Sequence, residues 1–226
     1  MRSSNKFSLL DDAAHELRTP LSVFQSNLQI ATDDPAFASE GAQILLATLR
    51  DSASRLERLV SDLLVLSRED RLPTLTDVSI GVILEQIKFD LRNAALERKV
   101  RIELRGDLSV SITGDESLLT KGVFNLVENG ILYNRPGGVV EIIVEETDNL
   151  VEISVSDTGV GILDGKNSRI FDRFYRSDRS VSLNQSGTGL GLAIAKRIIE
   201  LHRGTISASD RPSSGSVFAV TLPCAK

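Results

Sequence analysis

Near the start of the chain apolar residues recur at Leu10, Ala14, Leu17, Leu21, Phe24, Leu28 and Ala31, in alternating steps of four and three. That rhythm is the seam of a heptad helix. After an acidic turn with a proline, TDDPAFASE, a second seam runs through Leu45, Leu49, Ser52, Leu56, Leu59, Leu63 and Leu66. Two seamed helices joined by a turn predict an antiparallel hairpin. One hairpin cannot enclose both of its apolar stripes, whereas two copies bury all of them in a four-helix bundle, so a homodimer is expected. The alternative lays the stripes on the domain that follows. Charge and Pro73 in REDRLPTL break the period, which predicts a hairpin over 1–70, a linker over 71–76 and a second domain over 77–226.

The pattern of the second domain is mixed. Strands are predicted at TDVSI, VRIEL, SVSIT, GVVEIIVEE, LVEISVSD, GTISASD and SVFAVTL, where apolar and polar residues alternate. Helices are predicted at VILEQIKFDLRNAALERK, DESLLTKGVFNLVENGILYN and LGLAIAKRIIELH. This order predicts a mixed sheet with its helices on one face and the other face partly open. The fold class is therefore α+β: a helical hairpin, then an α/β sandwich.

Composition narrows the partners. A formal net charge of −5 with no basic face excludes nucleic acid held through its phosphates. The one cysteine, Cys224, forms no intrachain disulfide and suits a reducing compartment, so a cytoplasmic location is expected. No apolar run is long enough to span a bilayer, and MRSSNKFSLL lacks the core of a secretory signal.

The candidate chemistry begins at AAHELRTPL. With Ala14 and Leu17 in the seam, His15, Glu16 and Thr19 fall on the opposite, solvent-facing side. A carboxylate holding one ring N–H leaves the other imidazole nitrogen free to attack, and Glu16 stands where it can do so. Pro20 removes a helical N–H and predicts a bend just past the histidine. The same spacing also suits a solvated helix face with an incidental histidine. Asp12 through Leu21 resemble the dimerisation and phosphoacceptor segment of two-component sensor histidine kinases.

Four further constellations resemble, in order and context, the ATP-binding domain that these kinases share with the GHKL ATPases, the Bergerat fold. In NLVEN, Asn125 and Asn129 lie on one helix face, and an amide oxygen is a suitable hard ligand for Mg²⁺ shared with phosphates. The resemblance implies Asn129 as principal metal ligand and Asn125 as its neighbour, with Tyr133 ending the motif. In DTGVG, it implies that Asp157 reads the exocyclic amine of adenine, while Gly159 and Gly161 allow a tight backbone path. IFDRFYR brings Phe171, Phe174 and Tyr175 with Arg173 and Arg176 among them, aromatics for the base of a lid and cations for phosphate; it also reads as a short amphipathic helix closing the core. In SGTGLGL, Gly187, Thr188, Gly189, Leu190 and Gly191 open a helix whose bare N–H groups suit phosphate oxygens. The polar stretch RSDRSVSLNQS between the last two reads as a lid. His202, at a helix end, reads as structural. The resemblance covers about residues 8 to 222.

Three readings follow. The first is a kinase that moves the γ-phosphoryl group of ATP to His15 and then to an aspartate of a response-regulator receiver domain. By resemblance Thr19 completes a pattern that positions water for dephosphorylation of that regulator. The second is an ATP-hydrolysing clamp, against which stands Asn125, since hydrolysing relatives carry a glutamate at that position. The third is a nucleotide-binding scaffold without turnover. Its support is Leu132, where the family commonly has a cation; Arg135 is the nearest substitute. A membrane enters only through a sensor portion, which the family usually carries ahead of this region.

Overall fold

The computed structural model describes residues 21–67, 75–162, 169–175, 188–211 and 214–224. The chain divides into two compact units, Met1–Glu69 and Asp70–Lys226.

In the first unit, helix α1 covers 21–33 and a 3-10 turn covers Pro35–Phe37. Helix α2 then runs Glu40–Ser67. The turn begins at Asp34, whose carboxylate accepts the Ala36 N–H at 2.8 Å ahead of Pro35, so cap and proline together stop one helix and start the next. The hairpin is as predicted, and on α2 most of the residues that face α1 lie one position beyond the predicted stripe. Leu21 and Leu28 of α1 bury against Leu46 and Ala53 of α2, with Ala31 and Leu49 at the margin. From the predicted stripe Phe24, Leu45 and Leu56 stay outside at 44%, 59% and 49% exposure. The reason is that α2 carries two adjacent apolar stripes, and the neighbouring one faces α1. Among the described residues no helix is long and apolar enough to cross a membrane.

The second unit contains all seven predicted strands: β1 Thr76–Ser79, β2 Arg101–Gly106, β3 Ser111–Gly114, β4 Val139–Thr147, β5 Leu150–Asp157, β6 Thr205–Asp210 and β7 Ser216–Pro223. Its helices are α3 Ile80–Glu97, α4 Glu116–Leu132 and α5 Gly191–Leu201. Strands β1 and β3 pair by themselves, while the main sheet has the order β2-β4-β5-β7-β6. Only the β2–β4 pair is parallel. Val140, Ile142 and Val144 of β4 and Val151, Ile153 and Val155 of β5 face Leu84, Ile87, Leu126 and Ile199 of the helices in one core. The opposite face of β4 carries Glu141, Ile143 and Glu145, all partly or fully exposed. One-sided packing is thus what the alternation predicted.

His202 ties the ends of two helices together. Its Nδ1 lies 2.7 Å from the carbonyl of Ile198, and its Nε2 accepts the Asp115 N–H at 3.0 Å, just where Asp115 caps α4. Because Nε2 accepts, Nδ1 must carry the proton and the ring is neutral. Burial lowers its pKa, outweighing the opposing pulls of the Ile198 carbonyl and Asp115. A folded value below the unfolded one means that the unfolded chain binds more protons as pH falls, so stability is lost with acidification. The thermal midpoint should therefore decline from the unfolded value of 6.5 downward, and His202→Gln should flatten that decline. Melting curves from pH 5.5 to 8 check this; equal slopes in both proteins would remove His202 as the cause.

Candidate active site

Strand β5 delivers Asp157 to the tip of the sheet, and the carboxylate is 3% exposed. Both of its oxygens are held. Oδ1 accepts the Gly159 N–H at 2.7 Å and Oδ2 accepts the Ser216 hydroxyl from β7. An ionised carboxylate has about four acceptor positions, so two bonds fix its orientation and leave capacity for a ligand donor. Gly159 is required by space, because a Cβ there would collide with the carbonyl of Tyr133. That carbonyl accepts the Val160 N–H at 3.2 Å, which ties the glycine loop to the end of α4.

A second set of bonds holds the same junction. Asn134 donates to the Val139 carbonyl at 3.1 Å and accepts from the Thr158 hydroxyl at 3.0 Å. The hydroxyl of Thr158 in turn accepts the Val139 N–H at 3.0 Å. The end of α4, the start of β4 and the loop after Asp157 therefore move as one piece.

Helix α4 links the two ends of the site. A Cβ on Gly130 would stand 3.5 Å from that of Asp157, and a Cβ on Gly191 would stand 3.7 Å from the amide of Asn125. Helix α4 thus approaches the first residue of α5 at Asn125 and Asp157 at Gly130. Helix α5 starts without a side-chain cap, so its first N–H groups are available to an anion. Nδ2 of Asn125 is buried with no hydrogen-bond partner. An unmet donor costs about 1–3 kcal/mol, which fits a position that a bound ligand completes. Nucleotide phosphates at α5 and a base at Asp157 suit this geometry.

The three aromatics of IFDRFYR take different positions. Phe171, in the 3-10 turn Arg169–Phe171, is the buried one and meets Phe218 edge to face at 6.5 Å. Phe174 is 64% exposed and has a positive φ of 62°. Its N–H donates to the carbonyl of Gly189 at 2.9 Å, so the two ends of the intervening stretch are pinned together. Gly189 has φ 72°, and a Cβ would press on the Phe174 backbone at 2.8 Å. Tyr175 lies beneath the guanidinium of Arg169 at 5.3 Å. Thr188 accepts the Leu190 N–H at 3.3 Å, and Leu190 is buried at the start of α5. At the other end of α4, Arg98 donates to the carbonyl of Leu132 at 3.1 Å. A cation therefore stands at the helix end where Leu132 offers none, a favourable place for positive charge.

His15, Glu16, Thr19, Arg176 and Gly187 lie outside the described residues. Of the remaining candidates, Asn125, Asn129 and Tyr133 belong to α4 and its C-terminal end, Asp157, Gly159 and Gly161 to the end of β5 and the loop after it, and Thr188, Gly189, Leu190 and Gly191 to the start of α5. Sequence reasoning missed Ser216, Asn134, Thr158 and Arg98. Thr158 sits inside DTGVG and could have been flagged; the other three carry no local signal.

The family described as histidine kinase-, DNA gyrase B- and HSP90-like ATPase matches residues 114–226. The His Kinase A phospho-acceptor domain matches residues 6–72. The sensor histidine kinase RppB of Synechocystis sp. is 37% identical over 217 residues, covering 94% of this chain and 48% of that protein. The sensor-like histidine kinase SenX3 of Mycobacterium tuberculosis is 33% identical over 218 residues, with 94% and 52% covered. Among solved structures, full-length ShkA in complex with AMPPNP superposes with a TM-score of 0.84 at 26% identity, over 97% of this chain and 46% of that one. The chain spans about half the length of the curated relatives it matches.

Proposed function

This chain belongs to the two-component sensor histidine kinases, and we propose that it transfers the γ-phosphoryl group of ATP to His15. The observation that carries the proposal is the line along α4, with the orphaned Asn125 amide beside Gly191 at one end and the doubly held Asp157 at the other. Adenine binds through its exocyclic amine to Asp157, and the phosphates run along the Asn125–Asn129 face to the N–H groups of α5. Gly161 and Tyr133 flank the base, and Phe174 borders the phosphate side. Mg²⁺, held by Asn129 with Asn125 beside it, neutralises charge on the phosphate oxygens when bound.

In the transfer, an imidazole nitrogen of His15 forms a bond to the γ-phosphorus, the bond to the bridging oxygen breaks, and ADP leaves. Glu16 takes up the ring proton. The phosphoryl group then passes to an aspartate of a response-regulator receiver domain, and Thr19 positions water for the reverse, dephosphorylating role. A clamp that hydrolyses ATP is disfavoured, because Asn125 has no carboxylate to activate water. ATP use and the free thiol of Cys224 suit a cytoplasmic location.

Incubation with Mg²⁺ and γ-labelled ATP tests the proposal. The label should be lost in acid and survive alkali, as a phosphorus–nitrogen bond requires. No label, or an alkali-labile one, overturns it.

The exposed Phe24, Leu45 and Leu56 support a second proposal, that two hairpins pack into a four-helix bundle. Leu45→Asp with Leu56→Asp should convert a dimer to a monomer by placing unpaired charge in that interface. Light scattering that finds the unaltered chain monomeric at micromolar concentration would sink the bundle.

A further inference from the structure

The turn between β6 and β7 makes three separate bonds to the loop that follows Asp157, each from a different side chain. Asp210, the last residue of β6, accepts the Ile162 N–H on Oδ1 at 2.7 Å. Ser214 donates its hydroxyl to the carbonyl of Gly159 at 2.7 Å. Ser216, the first residue of β7 and the register partner of Asp210, donates to the Asp157 carboxylate. The hairpin therefore holds the beginning, middle and end of the 157–162 loop. The far side of the same loop is fixed by Tyr133 and Asn134 through Val160 and Thr158. Together with the pairing of Asp157 with Val140 across β4 and β5, these bonds set where the Asp157 carboxylate points.

The turn is itself braced for this. Ser214 has φ 95°, a conformation that costs a non-glycine residue energy. It is retained by the Arg211 N–H on the Gly215 carbonyl at 2.9 Å and the Ser214 N–H on the Arg211 carbonyl at 3.2 Å. The result of that bent path is that the Ser214 hydroxyl reaches Gly159.

We propose that the β6–β7 turn is the element that sets base selectivity, with Asp210 and Ser214 as positioning residues that act through the 157–162 loop on Asp157. This rests on the reading of Asp157 as the adenine contact. Reading a base requires an acceptor held to a few tenths of an ångström, because the competing base differs only in which edge atoms donate. A loop released at Ile162 and Gly159 lets Asp157 tilt, which weakens its bond to the adenine amine while leaving phosphate contacts at α5 intact. Loss of Asp210 should therefore fall on ATP and hardly on GTP.

The test is displacement of a fluorescent nucleotide from the full chain by Mg-ATP and by Mg-GTP. In Asp210→Ala the ATP affinity should fall about tenfold, the size of one hydrogen bond to a charged group, with GTP changed less than about twofold. Asp210→Asn keeps an oxygen for Ile162 and should restore most of the preference. Ser214→Ala, a smaller change, should lower the ratio in the same direction and serves if Asp210→Ala does not fold. A variant that melts earlier with its ATP-to-GTP ratio intact shows a merely structural role and overturns the inference. Wild type without ATP preference overturns the Asp157 reading and this inference together. Preference lost in Asp157→Asn but kept in both Asp210→Ala and Ser214→Ala overturns this inference alone.

Discussion

His15→Gln protein incubated with Mg²⁺ and γ-labelled ATP should take up no covalent label, while its affinity for ATP stays within about twofold of the unaltered chain. Transfer needs a lone pair on a nitrogen that can bear the incoming phosphorus. Imidazole has one, and the glutamine amide has lost its own to the neighbouring carbonyl. The affinity should hold because His15 belongs to the unit Met1–Glu69, whereas the residues proposed to bind nucleotide belong to Asp70–Lys226. Removing a nucleophile from one unit leaves the pocket of the other as it was. Label of full intensity on His15→Gln would assign the acceptor to another residue. A large loss of ATP affinity would mean that the histidine helps to bind nucleotide.

The sequence pattern carried much of the fold, and the places where it misled have physical causes. Alternation in β4, β5 and β7 identified those strands because one sheet face is packed and the other open, which is the case in which period two is clearest. VRIEL and SVSIT alternate equally well, yet β2 pairs with β4 and β3 with β1. Pairing depends on which edges remain free, and nothing local encodes that. On α2 Leu45 and Leu56 form a stripe as regular as that of Leu46 and Ala53, and it is the second that faces α1 within the hairpin. Periodicity finds both stripes and cannot rank them.

The site divides in the same way. Asp157, Asn129 and the glycines before α5 are legible because each sits in a compact motif tied to a strand end or a helix start. Ser216, Asp210 and Arg98 are not, since each meets its partner across a long stretch of chain: Asp157, Ile162 and Leu132 respectively. A serine in SSGSVF or an aspartate ending a strand has many ordinary uses. Only the β5–β7 and β6–β7 registers bring them to the loop. Arg98, just past the end of α3, reaches the carbonyl of Leu132 in the same way, and no motif in the sequence links the two.

Asn129→Ala should slow labelling of His15 by about two to three orders of magnitude at saturating ATP, which matches several kcal/mol of lost charge stabilisation. Among the described residues no three His, Cys, Asp or Glu side chains converge as a metal cage. A Mg²⁺ ion here would rely on an amide oxygen, the phosphates and water, so each protein ligand matters. Asn129 is one helical turn from Asn125 and adjoins Gly130, which packs toward Asp157. It is the residue that would hold a Mg²⁺ ion, whose charge would offset that of the phosphates. Asn125→Ala should have a smaller effect, because its buried amide lies at the start of α5 and is expected to meet the phosphate side rather than to be the main ligand. If the loss in Asn129→Ala is one of metal binding, raising Mg²⁺ recovers part of the rate, whereas raising ATP alone does not. Equal rates in Asn129→Ala and the unaltered chain would mean that the ion is held elsewhere. A larger effect at Asn125 than at Asn129 would exchange their roles.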